Sequence, residues 1–431
     1  MCAAVLLVCP AAHSLSVLTH EAIIDSTWSD GIRPLLVKRF PQASADDLRQ
    51  ARAFAYGGCI IQDMGYYPFG SKFYTDLAHY VRSGDFVVNL LADAQTLDEY
   101  AFALGALAHY AADNAGHALA VNPSVGLEYP KLRRKFGPIV TYVDDPAAHL
   151  KVEFGFDVEQ VARGSYATAA YHDFIGFQVA EPLLERAFED TYGVPLKDIF
   201  GSLDLALGTY RYTVSTLVPA MTRAAWKLHK KDLVRATPGL TQRRFIYTLS
   251  RASYRREWGK GYRHAGVGVR VLSFFLRILP KVGPLKVAAF KPPTPRATAD
   301  FERAFVTAVQ TYRGLLAESE QPAFHLPNRD FDTGKPTAPC EYPLADDTYA
   351  RLAILLAGRD AAQVNPQVRA DVLAFYRNPD LPFHTRKNGK EWRRTMDAVE
   401  RLRTGAKTSG SEERPPFTAE PRKCAERSAE K

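Results

Sequence analysis

The run from Ala108 to His117 contains the side chains with the clearest capacity for chemistry in this sequence. His109, Asp113 and His117 are spaced four residues apart within it. Because an α-helix advances about 100° per residue, positions i, i+4 and i+8 project from one side of a helix. Two imidazoles and a carboxylate placed in this way are typical zinc ligands. The preceding residues 103–108 are small and apolar, which predicts a buried helix whose polar groups need a metal as their partner.

Further potential ligands occur on both sides of this run. His149 and Glu153 repeat the i, i+4 spacing, and three more polar residues lie beside aromatic or apolar neighbours: His20, Asp63 and His79. Any one of these residues alone would more often be a surface group or a satisfied core histidine. Together they offer more ligands than one tetrahedral site accepts, which favours two or three metal ions that share a ligand.

Five short motifs follow one another in the first part of the chain: Leu-Thr-His-Glu-Ala-Ile at 18–23, Gln-Asp-Met-Gly-Tyr-Tyr-Pro at 62–68, Phe-Tyr-Thr-Asp-Leu-Ala-His-Tyr at 73–80, the run 109–117, and His-x3-Glu-Phe-Gly-x-Asp at 149–157. In this order they resemble the motifs of the zinc-dependent phospholipase C superfamily. That group includes bacterial phospholipases C, fungal single-strand-specific nucleases and the amino-terminal domain of glycosylphosphatidylinositol-specific phospholipase D. The spacing of the run 109–117 is similar to that of the last branch, and the resemblance covers roughly residues 15–225.

The resemblance implies a ligand set for up to three Zn²⁺ ions. One zinc would be held by Asp63, His79, His109 and Asp113. Asp113 would bridge to a second zinc, which His20 and the backbone of the mature amino-terminal residue complete. The third zinc would be held by His117, His149 and Glu153. The resemblance also implies cleavage of phosphodiesters by a zinc-activated water, with Asp63 as the carboxylate that orients or deprotonates that water.

The amino terminus is relevant to this ligand set. Residues 2–12 form a short apolar region, and Ala12-His13-Ser14 has the small residues of a signal peptidase site, although no Lys or Arg precedes the region. Cleavage after Ser14 would make Leu15 the first residue and therefore the backbone ligand. We expect a signal peptide at 1–14 and a secreted, periplasmic or cell-envelope protein, with a cytoplasmic protein as the alternative. The apolar region is too short to span a membrane.

Apolar residues recur at helical spacing along most of the chain, and no alternating β pattern of useful length is present. The predicted fold is all-α, a multi-helix bundle around a tri-zinc cluster with a helical carboxy-terminal extension. The expected organisation is a leader at 1–14, the phospholipase C-like helical domain at 15–225, a basic and apolar helical extension at 226–320, a linker at 321–343, a small helical appendage at 344–404 and a disordered tail at 405–431.

Composition supports a globular protein with phosphate-bearing partners. Hydrophobic residues make up 46% of the chain, enough for a sizeable core, and five cysteines do not describe a disulfide framework. The net charge of +8 attracts lipid headgroups or nucleic acids alike. The apolar segment 265–291 carries basic residues and suggests contact with a membrane surface, although a buried helix with snorkelling arginines is the favoured interpretation.

Three functions fit these observations. The leading one is zinc-dependent hydrolysis of a phosphodiester in a phospholipid or phospholipid-like substrate. The second is a single-strand nuclease with the same zinc cluster, and the third is a non-catalytic, zinc-stabilised domain that binds lipid or protein. The sequence contains no phosphate-binding loop, no metalloprotease His-Glu-x-x-His motif and no serine-hydrolase elbow. Headgroup preference, and phospholipase C-type or D-type cleavage, are left open.

Overall fold

The computed structural model describes residues 17–163, 165–166, 178–212, 226, 230–231, 234–235, 290–360 and 364–405. Within these ranges the chain consists of helices and loops, and the one pairing of extended segments is an isolated bridge between Arg329 and Pro336. The predicted all-α fold is confirmed. The expected leader, Leu15 and nearly all of the segment 265–291 lie outside the described residues, as does the tail after 405. No helix in the described ranges is both long and apolar enough to span a membrane.

The helices of the first half are α1 (Val17–Thr27), α2 (Arg33–Arg39), α3 (Ala45–Gly58), α4 (Lys72–Tyr80), α5 (Ser83–Asp93), α6 (Leu97–Gly116), α7 (Asn122–Glu128), α8 (Pro130–Phe136) and α9 (Pro146–Arg163). They are followed by α10 (Glu181–Tyr192), α11 (Leu203–Tyr212), α12 (Pro295–Glu318), α13 (Pro343–Ala357), α14 (Pro366–Phe375) and α15 (Gly389–Gly405). A 3₁₀ turn spans Ile61–Tyr66, and π-helical turns span Trp28–Ile32 and His117–Val121.

Helix α6 lies at the centre of the bundle. Its start is defined by a capping box, in which Thr96 accepts from the backbone of Glu99 and the Glu99 side chain accepts in return. From Tyr100 to Gly116 the residues of α6 are buried apart from Asn114. Helices α1, α3, α5 and α12 pack around it. The many alanines of α6 present a narrow surface, so these neighbours can surround it closely.

Helices α3 and α6 touch through glycines. A Cβ atom on Gly105 would lie within 3.0 Å of the carbonyl oxygen of Ala55, and one on Gly58 would lie equally close to the carbonyl oxygen of Phe102. Side chains at these two positions would therefore force the helices apart. The close contact matters for the chemistry because α6 carries three of the predicted ligands.

Replacing Gly105 with alanine is expected to lower the free energy of unfolding by about 1–3 kcal/mol, because the added methyl group meets backbone atoms that cannot move aside. Gly314→Ala is the matched control. Gly314 is exposed inside α12 and no atom would lie within 4 Å of its added Cβ, so alanine should raise the free energy of unfolding by about 0.5–1 kcal/mol. Urea denaturation measures both changes. Equal effects of the two substitutions would contradict the close approach of α3 and α6.

The carboxy-terminal helices share the core of the first half. The Tyr312 hydroxyl of α12 donates to the carbonyl oxygen of Leu104 at 2.8 Å, and α13 packs against α4. Helices α13, α14 and α15 are joined by aromatic contacts such as the stacked rings of Tyr349 and Phe375. These helices therefore add to one continuous hydrophobic core.

The stretch 321–343, expected to be a linker, forms no helix before Pro343 but does not bridge two separate bodies. Phe331 is completely buried within it, and its backbone N–H donates to the carbonyl oxygen of His79. The Pro, Asn and Asp residues that suggest a linker instead form turns that fold this stretch against the helices. Asp330 illustrates this, because its side chain accepts from the backbone N–H groups of Asp332 and Thr333.

Candidate metal centre

Asp113 is the central residue of the candidate metal centre, and it is fully buried. Its Oδ2 lies 2.9 Å from Nε2 of His109 and 3.5 Å from Nε2 of His79. Its Oδ1 lies 3.4 Å from Nε2 of His20 and 3.8 Å from Nε2 of His117. Four imidazoles from three helices and a π-helical turn thus surround one carboxylate.

The regular geometry of α6 explains why Asp113 is shared. Four residues advance a helix by about 400°, so each step from His109 to Asp113 to His117 turns the side chain by about 40°. His109 and His117 therefore diverge, with Asp113 between them. The chain widens into the π-helical turn at His117, a feature that often occurs at functional sites.

The first group of side chains comes from four elements. Asp63 lies in the 3₁₀ turn after α3, and its Oδ1 is 3.2 Å from Nε2 of His79 near the end of α4. His20 of α1 stacks on His109 of α6 with ring centroids 4.5 Å apart. Each of these four side chains is at most 3% exposed.

Asp157 of α9 fixes the start of α1 and so the position of His20. Its carboxylate accepts from the backbone N–H of Leu18 at 3.1 Å and from the hydroxyl of Thr19 at 2.7 Å. Asp157 is 2% exposed. The last motif of the sequence therefore contains both predicted ligands and the acceptor that holds the amino-terminal helix beside them.

The second group joins the end of α6 to α9. Nε2 of His149 lies 2.9 Å from Oε1 of Glu153, which is one helical turn away. Nε2 of His117 lies 3.6 Å from the same oxygen, and the two imidazole rings are 4.9 Å apart. Asp113 connects this group with the first.

The ring orientations leave the Nε2 atoms facing the centre. Nδ1 of His79 lies 2.9 Å from the carbonyl oxygen of Thr75, and Nδ1 of His109 lies 2.9 Å from that of Cys59. A backbone acceptor at Nδ1 favours the tautomer that carries its proton there and leaves a lone pair on Nε2. Both rings therefore present a ligand atom towards Asp113.

The residues present fit a metal cluster. Buried polar atoms normally have hydrogen-bond partners, yet a set of buried atoms at this centre has none among the described residues: Nε2 of His20, His79, His109, His117 and His149, and both carboxylate oxygens of Asp113 and Glu153. Imidazole nitrogens and carboxylate oxygens are the ligands that Zn²⁺ takes. A bound cation would compensate the burial of these atoms.

The electrostatics of the centre also fit a cation. Burial raises the pKa of Glu153 well above its usual value, and the neighbouring His117 offsets only part of this shift. Burial lowers the pKa of His149 to about 4, which leaves it as the neutral imidazole that binds metals. Burial alone would also raise the pKa of Asp113, but His109 and His117 outweigh it, and the net shift is well below the usual value.

Residues 19–201 match the family model described as zinc-dependent phospholipase C. This part of the chain is therefore similar to the zinc-dependent phospholipases C. No curated protein and no solved structure matches it. The match bears out the family predicted from the motifs and supports a zinc-dependent hydrolase of phosphodiesters. The match lies within the predicted range 15–225.

The structure brings all eight predicted side-chain ligands to one place. Two groups with ligand atoms within 4.8 Å of one another consist of predicted residues alone: His20, His109 and Asp113, and Asp63, His79 and His109. A third group joins His117 and His149 to Asp332. The ligand roles themselves, including that of Leu15, stay predictions.

Asp332 was not identified from the sequence. It lies outside the residues that match the superfamily, in the stretch expected to be a linker. The run Asp330-Phe331-Asp332 offers two carboxylates, but no local pattern indicates which helices it packs against. Its position follows from the tertiary fold alone.

A small apolar group adjoins the centre. Tyr66, Tyr142 and Leu150 contact one another apart from the main core. The ring of Tyr66 lies 6.2 Å from that of His79, and the ring of Tyr142 lies 5.6 Å from that of His149. The group therefore reaches from the first set of candidate ligands to the second.

Proposed function

We propose that this protein hydrolyses the phosphodiester bond of a phospholipid or phospholipid-like substrate at this centre. The observation that carries the proposal is the convergence of eight buried ligand-type side chains around Asp113, with the Nε2 atoms of four imidazoles within 3.8 Å of its oxygens. A non-catalytic domain would not need so many ligands around one shared carboxylate, because a structural zinc site is complete with four.

The first group supplies the proposed ligands of two zinc ions, and the second group supplies those of a third. Asp63, His79, His109 and Asp113 would hold one zinc. Asp113 and His20 would hold a second, together with the backbone of the mature terminal residue, which we propose is Leu15. His117, His149 and Glu153 would hold a third. Bound zinc lowers the pKa of a water molecule and offsets the negative charge of the phosphate.

Asp63 is the residue proposed to orient the attacking water and accept its proton. Its backbone N–H donates to the carbonyl oxygen of Ile60 at 3.0 Å, which closes the 3₁₀ turn around it. The neighbouring Gln62 donates from its side chain to the carbonyl oxygen of Ala106 at 3.0 Å. The turn is therefore fastened to α6, and the Asp63 carboxylate is held in one position relative to Asp113 and His79. A general base needs such a fixed position.

The apolar group of Tyr66, Tyr142 and Leu150 supports a lipid substrate. A phospholipid places a charged phosphate next to apolar chains, and here an apolar surface adjoins both halves of a charged centre. Tyr142 is half-buried and Tyr66 is 7% exposed, so the group lies at the edge of the core. We propose that it contacts the glycerol and acyl portion of the substrate.

Hydrolysis of phosphatidylcholine in mixed micelles, of a soluble chromogenic phosphodiester and of single-stranded DNA tests this function. We expect chelator-sensitive hydrolysis of the lipid and the chromogenic diester. Tyr66→Ala and Tyr142→Ala should raise KM for the lipid several-fold and leave that for the small diester nearly unchanged, because the diester has no chain to contact. The lipid assignment would be contradicted if the protein cleaved DNA faster than lipid and if the tyrosine variants lost activity equally on lipid and on the chromogenic diester.

A further inference from the structure

A segment from outside the superfamily match lies across the candidate metal centre. We call residues 326–342, the last part of the connection from α12 to α13, the strap. Asp332 of the strap is 3% exposed, and its Oδ1 lies 3.3 Å from Nδ1 of His117. This is the side of the imidazole opposite to Nε2, the atom that faces Asp113 and Glu153.

The carboxylate of Asp332 is held on its other side. Its Oδ2 accepts from the hydroxyl of Tyr80 at 2.9 Å and from that of Tyr342 at 2.6 Å. The backbone carbonyl oxygen of Asp332 accepts from the side-chain amide of Asn122 at 2.6 Å. Both hydroxyl groups donate to Oδ2, and the other oxygen, Oδ1, faces the ring of His117.

Phe331 brings the strap onto the first group of candidate ligands. Its backbone N–H donates to the carbonyl oxygen of His79 at 3.1 Å. Its ring lies 5.1 Å from that of His79 and 5.9 Å from that of His109, measured between centroids. The strap thus contacts both halves of the centre through two consecutive residues.

Several hydrogen bonds fasten the strap to the helices that carry the centre. The Tyr110 hydroxyl of α6 donates to the carbonyl oxygen of Pro327 at 2.8 Å, and Asn328 accepts from two backbone N–H groups at the start of α5 at 3.0 Å. Gly334 has a φ of 69°, and a Cβ there would lie 2.6 Å from the carbonyl oxygen of Asn114. Close approach of the strap to α6 therefore requires glycine at this position.

We propose that Asp332 is a positioning residue of the metal centre, which accepts the Nδ1 proton of His117 and so presents Nε2 to the ion. Backbone carbonyl oxygens serve this purpose for His79 and His109. For His117, at the junction with the π-helical turn, the acceptor comes from a distant part of the chain. Carboxylates that orient metal-bound histidines in this way are common and raise the basicity of the ligand. The inference rests on the proposed function, since it assumes that His117 binds zinc.

The test compares zinc affinity in four variants of the full chain: Asp332→Ala, Asp332→Asn, Glu341→Gln and His117→Ala. Each is loaded with zinc and titrated with a competing chelator, while calorimetry of the metal-free form reports folding. Asp332→Ala should weaken one zinc by about 10–100-fold. Asp332→Asn should weaken the binding of this zinc measurably, but less than Asp332→Ala does, because the amide oxygen still accepts a hydrogen bond from Nδ1 of His117. Glu341→Gln, the control from the same strap, should bind zinc as the unmodified protein does, because the Glu341 carboxylate pairs with Lys335 at 3.2 Å.

The outcomes separate this inference from the proposed function. If His117→Ala keeps every zinc at full affinity, the metal assignment of the proposed function is wrong. If His117→Ala loses a zinc while both Asp332 variants bind as the unmodified protein does, the inference alone is overturned. The inference is also overturned if Asp332→Asn loses a zinc as completely as His117→Ala does, because Asp332 would then act as a ligand. Asp332→Asn keeps the shape of the side chain and decides the matter if Asp332→Ala does not fold.

Discussion

Replacing Asp113 with asparagine is expected to reduce kcat/KM for phosphodiester hydrolysis by about 100–1,000-fold or more and to release zinc. Asp113 approaches four imidazoles, with Oδ2 near those of His79 and His109 and Oδ1 near those of His20 and His117. The substitution removes the negative charge that the proposed pair of ions shares, and it offers an amide N–H₂ where a second ligand oxygen is needed. Metal content by mass spectrometry and turnover of a chromogenic phosphodiester measure the two effects together.

Asp98→Asn is the matched control for this substitution. It neutralises a carboxylate in the first turn of the same helix, where Asp98 accepts from the side chain of Gln50 far from the centre. Zinc content and turnover should both be retained in the control. Full zinc content and full turnover in Asp113→Asn would show that Asp113 does not bridge two zinc ions.

Removal of zinc should lower the unfolding temperature by about 5 °C for each ion that was bound. A ligand present at about 1,000 times its Kd stabilises a fold by about 4 kcal/mol, and more than one ion is expected here. The metal-free centre retains buried imidazole and carboxylate atoms without hydrogen-bond partners among the described residues, and burying such atoms is costly. Calorimetry before and after chelation, and after zinc is restored, measures the effect.

The same calorimetry on Asp113→Asn provides the comparison. Its zinc-dependent shift in unfolding temperature should be smaller than that of the unmodified protein, because fewer ions are bound. An unfolding temperature that is the same with and without chelator would mean that zinc does not stabilise this fold.

Helical periodicity made much of the centre predictable. His109, Asp113 and His117 share one side of a helix because their spacing matches the helical repeat, and the apolar residues before them indicate that this helix is buried. The structure agrees, with α6 ending at Gly116 and His117 starting the π-helical turn. The change of helical type could not be predicted, because the spacing of apolar residues does not distinguish a π-helical turn from the α-helix before it. It depends on how the end of α6 packs.

Long-range packing set the limit of prediction elsewhere. The periodicity over 165–192 suggests one long helix, yet residues 165–166 are not helical and α10 begins at Glu181, with Pro182 in its first turn. In the strap, turn-forming residues indicate an irregular segment, which is what the structure has. Their composition does not reveal that Phe331 and Asp332 are buried, because the helices that cover them lie more than 200 positions earlier in the chain. Such contacts are properties of the folded chain.

The measurement that tests the account most directly is the zinc content of the protein purified without residues 1–14, taken together with its hydrolysis of phosphatidylcholine. We predict two to three zinc ions per chain, as a cluster built around a shared carboxylate requires, and turnover that chelation abolishes and zinc restores. One zinc or none, with no hydrolysis of lipid or of a chromogenic phosphodiester, would contradict it and leave the buried cluster as a structural element.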